Sequence, residues 1–365
     1  MPTRYHQPDY ILVTIIAVII IFGLVMLSSA SSAISFQKFG DSNYYLKHQL
    51  ISFVIGIIAF IFASKIDYKT WKKFAFPFLI ITVLLLVLVF IPGIGFSYGG
   101  AKRWIHLGNY LFQPTEVVKL TFLLYLATWL EKRGKNIHDF LYGFMPFIIL
   151  MFIITFLVML QPDLGTMTVI AVIAISTYYV AGASYSHLGL IALGGTAIFA
   201  LLIKIAPYRV QRFTVFLNPQ LDPQGVGYHI NQALLAIGSG GLFGVGLGLS
   251  RQKFNYLPEA AGDSIFAIMA EELGFIVMVV LIILFLFFMY RGFKIARSSP
   301  DGFSRLLAAG ITAWFSFQAF INIGSMTGIL PLTGIPLPFI SYGGSALIIS
   351  MGAIGILTNI SRQTK

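Results

Sequence analysis

The chain has 365 residues, 58% hydrophobic and only 10% charged, with 24 Lys and Arg against 13 Asp and Glu for a formal net charge of +11. This composition excludes an ordinary soluble domain and points to an integral membrane protein. The absence of cysteine removes disulfides and thiolate metal sites, and the basic excess reads as membrane topology rather than as a nucleic-acid surface.

The polar stretch Met1–Tyr10 precedes an apolar run too long for the h-region of a cleaved signal peptide, so a retained first helix is expected. A spanning helix needs about 20 apolar residues. Candidates fall at 10–30, 47–64, 74–91, 114–131, 142–160, 165–181, 187–205, 263–290, 304–326 and 342–360, the sixth being short. The expected fold is an all-α polytopic membrane domain of about ten transmembrane helices, a single unit over 1–365.

An even number of spans puts both termini on one side. That side collects Arg4, Lys65, Lys69, Lys72, Lys73, Lys132, Arg133, Lys135, Arg291, Lys294, Arg297, Arg305, Arg362 and Lys365. The other side holds Lys38, Lys47, Lys102, Arg103, Lys204, Arg209, Arg212, Arg251 and Lys253. By the positive-inside rule both termini are cytoplasmic.

Three unusual segments then lie on the outer face. Residues 92–113 carry Gly99-Gly100-Ala101-Lys102-Arg103-Trp104-Ile105, a glycine turn followed by two cations and an interfacial tryptophan. Residues 206–262 form a large extracytoplasmic loop between the seventh and eighth spans. Residues 327–341 are apolar but broken by three prolines, and such backbone must line a cavity or pack on protein rather than face lipid. The glycine-rich run 238–248 fits neither a dinucleotide nor a Walker A register. Close packing of an interfacial or re-entrant segment explains its glycines better.

Charge at depth marks the candidates for chemistry. Four carboxylates, Glu259, Asp263, Glu271 and Glu272, crowd the entry to the eighth span. Asp263 reads either as a helix N-cap or as a reactive group, its pKa lowered by the helix dipole or raised by burial. Glu271 and Glu272 lie roughly 12–14 Å deeper along the axis and read as interhelical structure. Gln113-Pro114-Thr115-Glu116 opens the fourth span, with Glu116 favoured by the helix dipole. Lys119 shares its face, as a buried ion-pair partner or as a cationic grip on substrate. A pocket with Lys119 inside and Lys102 and Arg103 at its rim suits a diphosphate. Asp163 suits an N-cap for the sixth span. The six histidines are scattered without metal-ligand spacing, and no Ser-His-Asp arrangement is evident.

Taken together, Gly100–Ile105, Phe112–Glu116 with Lys119, Gln161–Thr166, Ala236–Gly241, and Leu330-Pro331 through Pro338-Phe339-Ile340-Ser341-Tyr342-Gly343-Gly344-Ser345 resemble the signatures of the SEDS family (shape, elongation, division and sporulation). Gly23–Met26 with Ser28–Ser31, and Ser250–Phe254 before Tyr256–Ala260, resemble its division branch, typified by FtsW, more than its elongation branch, typified by RodA. The resemblance implies a ten-helix peptidoglycan glycosyltransferase in the bacterial cytoplasmic membrane, at the division septum. Its expected companions are lipid II, a class B penicillin-binding protein that crosslinks the product, other division proteins and membrane lipid. The family's essential carboxylate maps onto the segment Pro258-Glu259 to Asp263. Many members have His-Thr before that aspartate where this chain has Ala261-Gly262, which puts any histidine role at that position in doubt.

The expected chemistry is inverting glycosyl transfer with Asp263 as general base. Lys119 and Arg103, with Mg²⁺ or Mn²⁺ as a candidate helper, would stabilise the leaving diphosphate. Lys102, Gln113, Glu116, Asp163, Glu259 and Ser341 complete the expected substrate contacts. A lipid II flippase and a non-catalytic division scaffold are the alternatives.

Overall fold

Each apolar run forms a helix. A computed structural model describes residues 7–98, 101–108, 110–205, 207–218, 221–222 and 225–364. Arg4, Gly99, Gly100 and Lys365, and the side chains of Lys135 and Arg209, lie outside the described residues. The helices are α1 (Tyr10–Phe39), α2 (Tyr44–Lys65), α3 (Tyr68–Leu88), α4 (Pro114–Arg133), α5 (Met145–Met159, entered through a wide turn at Phe140–Phe144), α6 (Leu164–Val180) and α7 (Tyr185–Ile205). They continue with α8 (Pro207–Leu217), α9 (Val226–Gly240), α10 (Ile265–Arg297), α11 (Gly302–Met326) and α12 (Gly344–Ser361).

Seven of these, α1, α2, α3, α5 with its entry turn, α10, α11 and α12, are long and apolar enough to cross a membrane. The chain is a multi-pass membrane protein. The other three runs of the sequence-based tally are α4, which carries Glu116, Lys119, Glu131, Lys132 and Arg133, and the shorter apolar stretches of α6 and α7. Large apolar side chains such as Phe62, Leu84, Phe152 and Ile283 are exposed, as a lipid-facing surface requires.

Two segments differ from the all-helical expectation. Residues 95–112 form an antiparallel sheet of β1 (Gly95–Tyr98), β2 (Ala101–Leu107) and β3 (Tyr110–Phe112), with Gly95 opposite Ile105 and Ile105 opposite Phe112. The alternation Lys102-Arg103-Trp104-Ile105-His106 is its signal in the sequence, with Lys102 and His106 exposed and Ile105 buried. The stretch 206–262 contains α8 and α9 in addition to turns.

The core is built around α11, whose face from Phe303 to Met326 is almost wholly buried against α4, α6, α9, α10 and α12. Gly310 meets the Leu123 and Thr177 side chains, and Gly292 of α10 meets Thr312, so small residues let these helices approach closely.

Helix α10 is broken at Gly274, whose φ of 76° is open to glycine and strained for other residues. The glycine-rich run after α9 fills the break. Val245 and Gly246 donate to the carbonyls of Glu271 and Glu272 at 3.0 Å, and Phe275 and Ile276 donate back to Gly241 and Leu242 at 2.9 and 3.2 Å. A side chain on Gly240, Gly244 or Gly274 would collide with backbone across this contact. The run therefore re-satisfies backbone groups that the break frees inside the bundle.

Candidate active site

The proline-broken segment 327–343 organises the site, because its free carbonyls need donors and α11 supplies them from one face. Ser325 Oγ donates to Pro331 O (3.0 Å), Asn322 Nδ2 to Ile335 O (2.8 Å) and Gln318 Nε2 to Pro336 O (2.9 Å). The i, i+4, i+7 spacing of these residues puts them in one row.

The same segment holds the carboxylate-bearing turn. Asn322 Nδ2 also donates to the backbone carbonyl of Asp263 (2.7 Å), Ser341 Oγ donates to Gly262 O (2.7 Å), and Tyr342 N donates to Ala261 O (2.9 Å). Ser341 is buried, and its hydroxyl also accepts from Leu337 N at 2.8 Å. It ties backbone together instead of presenting a free hydroxyl to substrate.

Asp263 lies outside the helix it precedes. Ser264 is the N-cap of α10 and makes no side-chain cap, so the capping account of Asp263 does not hold. Asp263 is half-buried as a residue. Desolvation pushes its pKa up to about 6, against the pull of the Arg212 guanidinium and of hydrogen bonds around Ser264. Gly334 lies beside it; a Cβ there would stand 3.7 Å from Asp263 Oδ2.

Arg212 comes from α8 and reaches the proline-rich segment at Leu332 O (3.4 Å). His229, from α9, places Nε2 2.6 Å from Ser264 Oγ, which also lies 2.7 Å from Pro258 O and 3.4 Å from Asp263 Oδ1. Desolvation and then Arg212 lower the His229 pKa to about 4, so the ring is neutral. Glu259 is shifted upward, by desolvation first and the Asp263 charge second, while Lys38 and His229 oppose the shift.

Arg212 and His229 were not among the residues expected from sequence. Both sit in the stretch 206–262, and no spacing relates them to Asp263. Only the docking of α9 onto α10, with α8 packed against α9, brings them together.

The cations expected opposite Asp263 are committed elsewhere. Lys119 is buried, pairs with Glu116 at 2.8 Å, approaches Gln318 Oε1 at 3.4 Å and lies 4.9 Å from the Trp314 ring centroid. Arg103 Nε donates to Gln161 O (3.0 Å), its Nη2 donates to Pro162 O, and Nη1 lies 3.9 Å from Asp163. Among the described contacts none joins Asp263 to Lys102, Arg103 or Lys119. Lys119 is one turn from a buried carboxylate of its own helix, and Arg103 meets the carbonyls of the α5–α6 turn.

Asp163 caps α6, with Oδ1 accepting from Thr166 N (3.0 Å) and Oδ2 from Thr166 Oγ1 (2.9 Å). This motif still touches the site's frame, because Gly165 abuts Ile335 and the Thr333 carbonyl. Gln113 precedes α4 and receives Ser345 Oγ only at its backbone N–H, which donates at 3.2 Å. Lys102 remains exposed on β2.

Glu271 and Glu272 form a separate network. Glu272 accepts from Ser29 Oγ (2.7 Å) and Lys253 Nζ (2.9 Å), and Glu271 accepts from Arg251 N (3.0 Å) and from Ser250 Oγ. They bind the turn 250–253 to α1 and α10.

No group of three or more His, Asp or Glu among the described residues has a metal-holding arrangement. Asp263 and Glu259, two carboxylates beside a guanidinium, do not fit Mg²⁺ or Mn²⁺.

The sequence model of the FtsW/RodA/SpoVE cell cycle proteins matches residues 9–365. The chain belongs to this family. It is 45% identical to the stage V sporulation protein E of Bacillus subtilis (strain 168), over the whole of both chains. It is 40% identical to the probable peptidoglycan glycosyltransferase FtsW of Trichlorobacter lovleyi, covering 100% of this chain and 96% of that one. Among solved structures it matches a chain described under the structural coordination of polymerization and crosslinking by a peptidoglycan synthase complex, at TM-score 0.81 and 29% identity, covering 97% and 98% of the two chains. It also matches the rod shape determining protein RodA of Thermus thermophilus, at TM-score 0.73 and 28% identity, covering 98% and 97%. The FtsW/RodA/SpoVE resemblance in the motifs thus extends over sequence and fold.

Proposed function

We propose that this chain is a peptidoglycan glycosyltransferase that polymerises lipid II, with Asp263 as general base. The observation that carries the reading is a half-buried aspartate on a turn held by Asn322 and Ser341, its pKa raised to about 6 by desolvation against the pull of the Arg212 guanidinium. A base poised near neutrality and a fixed cation suit attack by a sugar hydroxyl and departure of a diphosphate. Full-length relatives named peptidoglycan glycosyltransferase support the substrate class.

In this mechanism the 4-hydroxyl of the acceptor GlcNAc attacks C1 of the donor MurNAc. The C1–O bond to undecaprenyl diphosphate breaks with inversion, and the hydroxyl proton passes to Asp263. Arg212 replaces Lys119 and Arg103 as the cation facing the departing diphosphate. Lys119 supports the frame through Gln318, and Lys102 remains an exposed cation on the sheet. Glu259 lies within the field of Asp263 and assists the acceptor side.

The protein works in the cytoplasmic membrane with both termini inside and ten spans, the site on the outer face. Its companions are a class B penicillin-binding protein and other division proteins at the septum.

The test is lipid II in detergent with purified protein, alone and with its penicillin-binding partner. Glycan polymer from the wild type, and none from a folded Asp263→Asn protein, is the expected outcome. Polymer from Asp263→Asn would refute the base. Lipid translocation without polymer would favour the flippase, and loss of partner binding alone would favour the scaffold.

A further inference from the structure

The residues just before Asp263, Ala261 and Gly262, offer neither an imidazole nor a hydroxyl. The fold supplies both from elsewhere. Ser264 Oγ is fully buried and has three partners: Pro258 O at 2.7 Å, Asp263 Oδ1 at 3.4 Å and His229 Nε2 at 2.6 Å. A hydroxyl has one proton to give, and Pro258 O and the ionised Asp263 can only accept. Nε2 of the neutral ring therefore serves best as the donor, leaving the hydroxyl proton to move between Pro258 O and Asp263.

We propose that His229 is a positioning residue that acts through Ser264 on Asp263: its Nε2–H donates to Ser264 Oγ, which fixes the hydroxyl and strengthens it as a donor to the carboxylate. A donor chain of this kind is cooperative, each bond polarising the next. When Asp263 takes the acceptor proton, Ser264 can turn its own proton to Pro258 O and accept from the protonated carboxyl. One fixed hydroxyl thus serves both protonation states of the base, and no covalent bond or net proton transfer involves the imidazole.

The groups around His229 suit a ring that stays neutral. Arg212 acts on it from α8 and Glu259 from the turn before α10, while Asp263 is linked to it through Ser264 Oγ. The only charged residue of α11 is Arg305, near its opposite end, and residues 327–343 carry no charge. Desolvation first and the permanent cation of Arg212 second outweigh the Glu259 carboxylate, which favours the charged form, so the imidazole stays a neutral hydrogen-bond donor.

The inference rests on Asp263 as the base and predicts how its titration responds. Lipid II polymerisation is measured from about pH 5.5 to about 9, where the acid limb reports the base. The proteins are the full-length wild type, H229L, H229Q, S264A, the H229L/S264A double variant and D263N, each checked for folding by its thermal transition in detergent.

In H229L and S264A the acid limb moves upward by roughly 0.5–1 pH unit, with KM unchanged. The double variant moves no further than S264A, because one chain has been cut twice. H229Q, whose amide N–H can replace the imidazole donor, returns the limb toward the wild type. An acid limb unmoved in H229L, or an H229Q limb displaced as far as that of H229L, overturns the role of His229. D263N keeping activity refutes the base itself, whereas D263N inactive with H229L unmoved refutes only the present inference.

Discussion

One side-chain amide joins the two halves of the site: Asn322 Nδ2 lies 2.7 Å from the carbonyl of Asp263 and 2.8 Å from that of Ile335. Asn322 is buried on α11, so a single helix position sets the distance between the carboxylate turn and the proline-broken segment. Replacing it by Leu leaves two carbonyls without this donor, each worth about 1–3 kcal/mol when buried and unsatisfied. Asn322→Leu should lower the thermal midpoint in detergent and reduce polymerisation more than the stability loss explains. Normal turnover by the folded variant would remove Asn322 from the site's frame.

The pH dependence of Asp263 has a defined sign. Its pKa rises from 3.8 to about 6 on folding, so between those values the folded protein holds a proton that the unfolded chain has released. Stability therefore falls as pH rises through that window, and the cost of the desolvated carboxylate is fully present above it. Asp263→Asn removes that cost. The variant should unfold at a higher temperature than the wild type at neutral pH, with the difference gone below about pH 4. Activity should move the opposite way, falling in the wild type as pH drops through about 6 and absent in the variant throughout. Thermal scans and initial rates at matched pH check both.

The Glu116–Lys119 pair, 2.8 Å apart and buried, predicts strong non-additivity. Lys119→Met strands a buried carboxylate and should cost about 3–5 kcal/mol. Adding Glu116→Gln should recover part of that loss, which a double-mutant cycle of unfolding measurements in detergent would read. Additive single and double effects would show that the pair does not act as a unit.

At Gly274 the backbone conformation and the space agree. Its φ is 76°, and a Cβ there would run into Gly244 N and Leu242 O. Gly274→Ala should separate the glycine-rich run from α10, exposing Val245 and Gly246 to faster amide exchange and lowering the thermal midpoint. Gly352, where a Cβ would meet no neighbouring helix and the position in α12 is helical, is the control and should tolerate Ala. Exchange at Val245 unchanged by Gly274→Ala would argue against this account of the break.

The sequence by itself determined the membrane class, the helical runs, the cap at Asp163 and the family. These are local properties: twenty apolar residues make a span whatever surrounds them, Asp163 meets Thr166 three residues away, and motif order survives without coordinates. The sheet at 95–112 was legible only as short alternation around a glycine turn, too brief to outweigh an apolar background. Which cation faces Asp263 was decided by tertiary structure alone. Lys119 and Arg103 had the better local claims, but Glu116 and the carbonyls of Gln161 and Pro162 hold them. His229 reaches Ser264, and Arg212 acts on the carboxylate from Leu332, because α9 docks on α10, α8 packs on α9 and the broken backbone of 327–343 is held by α11. A charge finds its partner by distance through the folded core, and spacing along the chain carries no measure of that distance.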